Sequence, residues 1–165
     1  CRLALVGFES GDDAVLERLH KGATVEDARR FVEDARRAGL LVHGCFILGA
    51  PGETSGTMER TIRHALALGL DSAQFYPFMP DDGGAASLTE EGRHRYTGSD
   101  FKADEIDALC RAARRRFYLR PGYIARKALQ SLASVTEFGR NLRAARSLAV
   151  DFLAGLPNGR GRMAR

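Results

Sequence analysis

Two stretches of this chain are almost continuously apolar, and each stops at glycine, proline or a polar group. They are Leu3-Ala4-Leu5-Val6-Gly7-Phe8, ended by Glu9-Ser10-Gly11, and Leu40 to Leu48, ended by Gly49-Ala50-Pro51-Gly52-Glu53-Thr54; Ser72 to Phe78 reads as a third strand. Continuous runs of this kind predict strands covered on both faces, as in parallel sheets. Between them apolar residues recur at helical spacing. Val15, Leu16 and Leu19 form the stripe of a short helix that Asp12 and Asp13 open and Gly22 closes. Thr24 is placed to cap a second helix, with Val25, Ala28, Phe31, Val32 and Ala35 inward and Gly39 at its end. Thr54 or Thr57 opens a third, which carries Met58, Ile62, Ala65 and Leu66 and is closed by Gly69. Strand, helix, strand, helix, strand predicts right-handed parallel crossovers, in an open sheet or part of a barrel.

Past residue 79 the pattern changes. Residues 80–102 are polar and glycine-bearing, without sustained periodicity, and read as a loop or linker. From Ala103 onward the chain reads as helical. Ile106, Leu109, Cys110, Ala113 and Phe117 make one inward stripe, and Pro121 starts a helix whose apolar residues are Ile124, Ala128, Leu129 and Leu132. Phe138, Leu142, Ala145, Ala149 and Phe152 mark a last one. The expected organisation is an α/β part over 1–79, a linker over 80–102, a helical extension over 103–154 and a disordered basic tail over 155–165.

Composition narrows the function classes. The 165 residues are 44% hydrophobic, enough for a real core. The chain starts at Cys1, one residue before the first strand, which reads as a piece of a larger polypeptide. A net charge of +4 draws attention to Arg111, Arg114, Arg115, Arg116 and Arg120 and to Arg160, Arg162 and Arg165. A basic helical face is ordinarily solvated, so nucleic acid is not expected as a partner, while anionic headgroups suit the helical end better. Cys1, Cys45 and Cys110 are scattered and odd in number, which fits neither a metal site nor secreted disulfides and suggests a reducing, cytoplasmic setting. His43 and Cys45 share a strand face but are too few for a closed metal centre. No apolar run is long enough to cross a bilayer, so any membrane contact would be peripheral.

Candidate chemistry lies where the apolar runs end, because ligands of parallel sheets sit at the carboxyl ends of the strands. Glu9 and Ser10 close the first run. No basic residue lies near Glu9 in sequence, Arg2 being at the strand's other end, so an ionised carboxylate there is expected to face a ligand. Gly49 and Gly52 would let backbone approach a flat ligand closely. The loop holds no lysine or arginine, which argues against a phosphate site.

With those residues in view, the first two thirds of the chain resembles the C-terminal half of a radical S-adenosylmethionine enzyme. The matching pieces are Gly7-Phe8-Glu9-Ser10-Gly11, Leu19-His20-Lys21-Gly22 and His43-Gly44-Cys45-Phe46-Ile47-Leu48-Gly49-Ala50-Pro51-Gly52-Glu53-Thr54. The segment Cys110 to Pro121, followed by Tyr123-Ile124, resembles the helical extension of the cobalamin-binding-domain class, and the hopanoid-biosynthesis-associated branch within it.

The resemblance implies an α/β fold, a partial (β/α) barrel represented by its last three strands with their helices, followed by an all-helical extension. It implies that Glu9, Ser10 and Gly11 meet the ribose or methionyl part of S-adenosylmethionine. Ile47, Gly49, Pro51 and Gly52 would border the adenine, and Gln74 and Tyr76 would contact cofactor or substrate. In that family a 4Fe-4S cluster on a CxxxCxxC loop cleaves S-adenosylmethionine to a 5′-deoxyadenosyl radical, and cobalamin binds in a further domain. The CxxxCxxC triad is absent here, so the cluster and cobalamin ligands would lie outside this chain, in the missing N-terminal half of the barrel and beyond it. The chain alone is expected to be inactive, with no catalytic residue assigned. Where the family continues with Tyr-Pro-Gly-Thr, this chain has Met79-Pro80-Asp81-Asp82-Gly83-Gly84. The implied substrate is an apolar small molecule or lipid. Two other classes fit the residues less fully: a non-catalytic membrane or protein-interaction module led by the basic helices, and a phosphate-binding barrel enzyme.

Overall fold

A computed structural model describes residues 2–79 and 101–133, together with a short ladder at 87–88 and 94–95. Three strands, β1 (Leu3–Glu9), β2 (Leu41–Leu48) and β3 (Ser72–Pro77), form a parallel sheet in the order β1-β2-β3. Helices α1 (Asp13–Arg18) and α2 (Val25–Arg37) connect the first pair and α3 (Ser55–Ala67) the second. The ladder pairs β4 (Ser87–Leu88) antiparallel with β5 (His94–Arg95). Helices α4 (Ala103–Tyr118) and α5 (Pro121–Ala133) complete the described chain.

Local chemistry sets the helix ends as expected. Asp12 caps α1 by accepting from the Val15 N–H. Thr24 with Asp27, and Thr54 with Thr57, form reciprocal capping boxes on α2 and α3, so Thr54 rather than Thr57 opens the third helix. Gly39 and Gly69 follow α2 and α3 in the left-handed conformation that glycine adopts without strain.

The sheet departs from the expectation of cover on both faces. Along β2, Val42, Gly44, Phe46 and Leu48 are buried while His43, Cys45 and Ile47 are only half-buried. The covered side packs on the helices, with Val32 and Ala35 from α2 and Met58, Ile62 and Ala65 from α3. Phe8, Phe46 and Phe75, one from each strand, stack at 5.8 and 5.4 Å between ring centroids. On the other side Leu5 is 73% exposed and Leu3 50%. Three strands are too few to close on themselves, so the second face of an apolar run stays open.

The described residues fall into two compact units divided between Phe117 and Tyr118. All of α4 up to Phe117 falls in the first unit. Ile106, Cys110, Ala113 and Phe117 are buried as its stripe predicts, and Ile106 packs against Gly49. In the second unit α5 runs from Pro121 as expected, and its apolar residues Ile124, Ala128 and Leu129 are exposed. The expected helix through Phe138 to Phe152 and the basic tail lie outside the described residues.

Candidate functional site on the open sheet face

Because the strands are parallel, Glu9, the loop after Leu48 and Tyr76 all reach the same edge of the sheet. Register fixes what lies beside what. Leu5 is opposite His43 and His43 opposite Ser72; Gly7 is opposite Cys45 and Cys45 opposite Gln74; Ile47 is opposite Tyr76. In-register neighbours share a face, so these rows make the open side of the sheet. His43 Nδ1 lies 2.7 Å from Ser72 Oγ, and burial holds the imidazole below its ordinary pKa.

Glu9 is the strained point of this face. Its φ is 63°, and the Ser10 N–H donates to the Phe8 carbonyl at 2.8 Å, a three-residue turn of the rare positive-φ kind. The pairing slips between Gly7 and Glu9, so Phe8 is an inserted residue that faces the helices beside Phe46. Such a conformation costs about 1–3 kcal/mol in a non-glycine residue. The turn folds the carboxylate back over Gly7, where a Cβ would stand 2.2 Å from Oε1. Any side chain at Gly7 would displace Glu9. The carboxylate and burial together raise the Cys45 thiol pKa, burial being the larger cause.

The expectation that Glu9 has no basic partner is corrected: Lys21 Nζ donates to Glu9 Oε1 at 3.1 Å. Twelve residues separate them, but α1 is so short that the chain returns to β1 almost at once. His20, also at positive φ (50°), turns Lys21 back toward the strand. The signal was the Lys21-Gly22 pair placed directly after a helix stop. Both side chains retain solvent contact, so the pair contributes little to stability and stays open to exchange.

Ser10 and Gly11 face the other way. Ser10 is buried, its Oγ 3.0 Å from Thr61 Oγ1 and accepting from the Asp12 N–H at 3.2 Å. Gly11 donates its N–H to the same Thr61 Oγ1 at 3.0 Å, and a Cβ on it would meet His64 Cβ at 2.5 Å. The turn at Glu9 therefore sends one polar side chain to the open face and anchors the next two residues on α3. Thr61, which donates onward to the Thr57 carbonyl at 3.2 Å, is the fully buried hub of that anchor. A threonine within the apolar stripe Met58, Ile62, Ala65 was the sequence signal for it. Outside the hub, Arg60 Nη2 meets Asp12 Oδ2 at 2.6 Å. Burial pushes the Asp12 carboxyl up, but the Arg60 hydrogen bond and charge outweigh it and hold the group below its ordinary pKa.

The loop after β2 is ordered by Glu53. Its buried carboxylate accepts from the Ala50 N–H at 2.9 Å and from Thr57 Oγ1 at 3.4 Å. Burial nonetheless raises its pKa, the Ala50 and Gly49 amides offsetting part of the effect. Gly49 and Gly52 have φ of 82° and 73°, so the turn itself requires glycine. A Cβ on Gly49 would sit 3.0 Å from Ile106, and one on Gly52 3.3 Å from the Arg18 guanidinium. Any ligand contact at Gly49 would thus come from its backbone. Pro51 and Gly52 are exposed at the loop tip; Ile47 and Gln74 are half-buried and Tyr76 is exposed on the open face.

Beside β1 lies a concavity of about 480 Å³, lined among others by Leu5, Gly7, Lys21, Thr24, Asp27 and Phe31. The arrangement brings a carboxylate, an ammonium, an amide and a phenol to one side of an apolar sheet. It can accept hydrogen bonds from hydroxyls or an ammonium at Glu9, and seat a flat apolar surface on Leu5 and Ile47. Among the described residues no three His, Cys, Asp or Glu side chains converge as a metal site requires.

No family model matches the chain. The chain is 32% identical over 162 residues to an uncharacterized methyltransferase of Pyrococcus horikoshii, covering 82% of this chain and 35% of that protein. Ribosomal protein uS12 methylthiotransferase RimO of Desulforudis audaxviator is 29% identical over 89 residues, 53% of this chain and 20% of its own length. A tRNA-2-methylthio-N(6)-dimethylallyladenosine synthase of Alkalilimnicola ehrlichii is 34% identical over 85 residues, 50% of this chain and 19% of its own length. The chain thus spans 35% of the first of these relatives and about a fifth of the other two. It is distantly homologous to radical S-adenosylmethionine methylthiotransferases, which supports a radical S-adenosylmethionine-related enzyme family.

Proposed function

We propose that this chain forms one wall of the S-adenosylmethionine pocket of a radical enzyme, with the open face of β1-β2-β3 turned to the cofactor. The observation that carries the reading is the strained turn at Glu9, which places a solvent-reachable carboxylate over Gly7 in the same row as Cys45 and Gln74. Strain kept at a residue that does not hold the fold together is the mark of a functional position. The donor set fits the ligand: Glu9 accepts from ribose hydroxyls or the methionyl ammonium, and Lys21 hands over the carboxylate or pairs with an acid of the cofactor. Ile47, Gly49, Pro51 and Gly52 border the base, and Gln74 and Tyr76 face cofactor or substrate. Ser10 and Gly11 hold the turn through Thr61. The three cysteines do not fit a 4Fe-4S cluster, so its ligands belong to the part of a partial barrel that would continue beyond β1. A cobalamin requirement and a hopanoid-like lipid substrate complete the proposal, on the resemblance of Cys110 to Ile124 alone.

Calorimetric titration of S-adenosylmethionine into the complete polypeptide, with a thermal melt alongside, tests the role of Glu9. Glu9→Gln keeps the shape and removes the charge. Affinity is expected to fall about tenfold or more, since hydrogen bonds to charged groups contribute about 1.5–3 kcal/mol, while the melt barely moves. Unchanged affinity with a large loss of stability would overturn the reading.

A further inference from the structure

The charged groups of the open face stand at its β1 side. Glu9 and Lys21 meet there, and the Glu9 carboxylate, folded back over Gly7, is felt by Cys45 in the same row. One row further from the carboxyl edge the chemistry changes. Leu5, His43 and Ser72 lie side by side on β1, β2 and β3, and none of the three carries a charge at neutral pH, burial holding the imidazole below its ordinary pKa. Asp71, next to Ser72, commits its carboxylate to the Val42 N–H at 3.0 Å. At about 3.3 Å per residue, His43 stands about 13 Å along β2 from Ile47, at the edge of the face assigned above to the cofactor.

His43 is held at one ring nitrogen and open at the other. Nδ1 lies 2.7 Å from Ser72 Oγ, which sets the orientation of the ring. Nε2 has no hydrogen-bond partner among the described residues and is not sealed from solvent. A neutral imidazole donates from one nitrogen and accepts at the other, and a serine hydroxyl turns to suit either tautomer. Nε2 is therefore able to donate or to accept. The single-atom ligand group that answers both roles and needs no countercharge is a hydroxyl. A phosphate or carboxylate in the same place would meet no cation within the row, and an ammonium no anion. Leu5 completes the row. It is 73% exposed, and neighbouring strands lie about 4.8 Å apart, so an apolar surface resting on Leu5 brings a substituent within reach of the imidazole.

We propose that His43, oriented by Ser72, is the substrate-recognition residue of this face and takes a hydroxyl carried on an apolar body that lies on Leu5. The proposal rests on the reading of the open face as a pocket wall and divides that wall: charge near Glu9 for the cofactor, an uncharged polar row for the substrate. The test uses three probes that share one apolar cage: adamantanol, adamantane carboxylate and adamantyl ammonium. Each is titrated into the complete polypeptide carrying isotopically labelled histidine, with S-adenosylmethionine titrated separately. The alcohol is expected to bind about tenfold more tightly than either ion, which would be desolvated without a countercharge, and to move the His43 Nε2 resonance. His43→Leu should weaken the alcohol about three- to tenfold, the usual net effect of one neutral hydrogen bond. Ser72→Ala, which frees the ring to turn, should weaken it by less, and His43→Gln should recover part of the loss. These three variants should leave the affinity for S-adenosylmethionine unchanged, and Glu9→Gln should leave that for the alcohol unchanged, so the two readings fail separately. Equal binding of all three probes, a His43 resonance that none of them moves, alcohol binding indifferent to His43→Leu, or a parallel loss of S-adenosylmethionine affinity in His43→Leu would each overturn the proposal.

Discussion

The two faces of the same three-strand sheet answer different demands. One face is dry: Val42, Phe46, Leu48, Ala73 and Phe75 are buried against α2 and α3, and even Gly44 is hemmed in by Leu70, Phe46 and Phe8. The other carries Leu5, His43, Cys45, Gln74 and Tyr76 at the same registers, half-buried or exposed. Every strand contributes to both through its two-residue period. The lesson is that fold and function are interleaved residue by residue, so substitutions one position apart should have effects of different kind as well as size.

Phe46→Ala should be the most damaging change to the dry face. It removes the middle ring of the stack and leaves a cavity, at a cost of about 3–5 kcal/mol by chemical denaturation. Phe117→Ala on α4, equally buried, should cost a similar about 3–5 kcal/mol. An unchanged denaturation midpoint for Phe117→Ala would detach α4 from the core.

Thr61→Val should cost about 1–3 kcal/mol, because it leaves the Ser10 hydroxyl and the Gly11 amide without their acceptor. It should also loosen the Glu9 turn, seen as faster amide exchange at Ser10 and Gly11. If stability falls but exchange there does not change, the anchor does not hold the turn.

Glu53 gives a pH signature. Its folded pKa is raised by burial, so the folded state holds the proton more tightly than the unfolded chain does. That contribution is complete below the ordinary value of 4.5 and is lost as pH rises through the folded value. Between about pH 4 and about pH 7, the melting temperature of Glu53→Gln should therefore gain on that of the native protein. A constant difference would mean that the loop amides fully compensate the burial.

The smallest effect belongs to the open face. Leu5→Ser, at a largely exposed site, should stay within about 0.5 kcal/mol of the native protein. A larger loss would mean that something already covers this face.

Much of this was legible in the sequence, because caps and periodicities are local. Thr24, Thr54, Gly39 and Gly69 announced helix ends that the structure reproduces, and the stripe on α4 named its buried residues. What escaped was set by the count of layers and by return paths of the chain. Leu3 and Leu5 look like core residues in any window, and only a sheet of three strands leaves them open. The Glu9–Lys21 pair depended on a short helix and a positive-φ turn at His20, neither of which hydrophobic spacing encodes. On α5 the apolar spacing gave the helix correctly but not its outward orientation, since a pattern shows that a face is apolar and not what it meets.

The phenylalanine stack also bears on how the chain finds this arrangement. Phe46 and Phe75 stand directly opposite each other in register. A pairing of β2 with β3 displaced by one residue would throw the rings to opposite sides. Such a sheet keeps its backbone hydrogen bonds yet forfeits the ring contact, so early mispaired ladders lack what would make them persist. The ring contact thus favours this alignment over its one-residue slips, and the same alignment sets Cys45 beside Gln74 and Ile47 beside Tyr76.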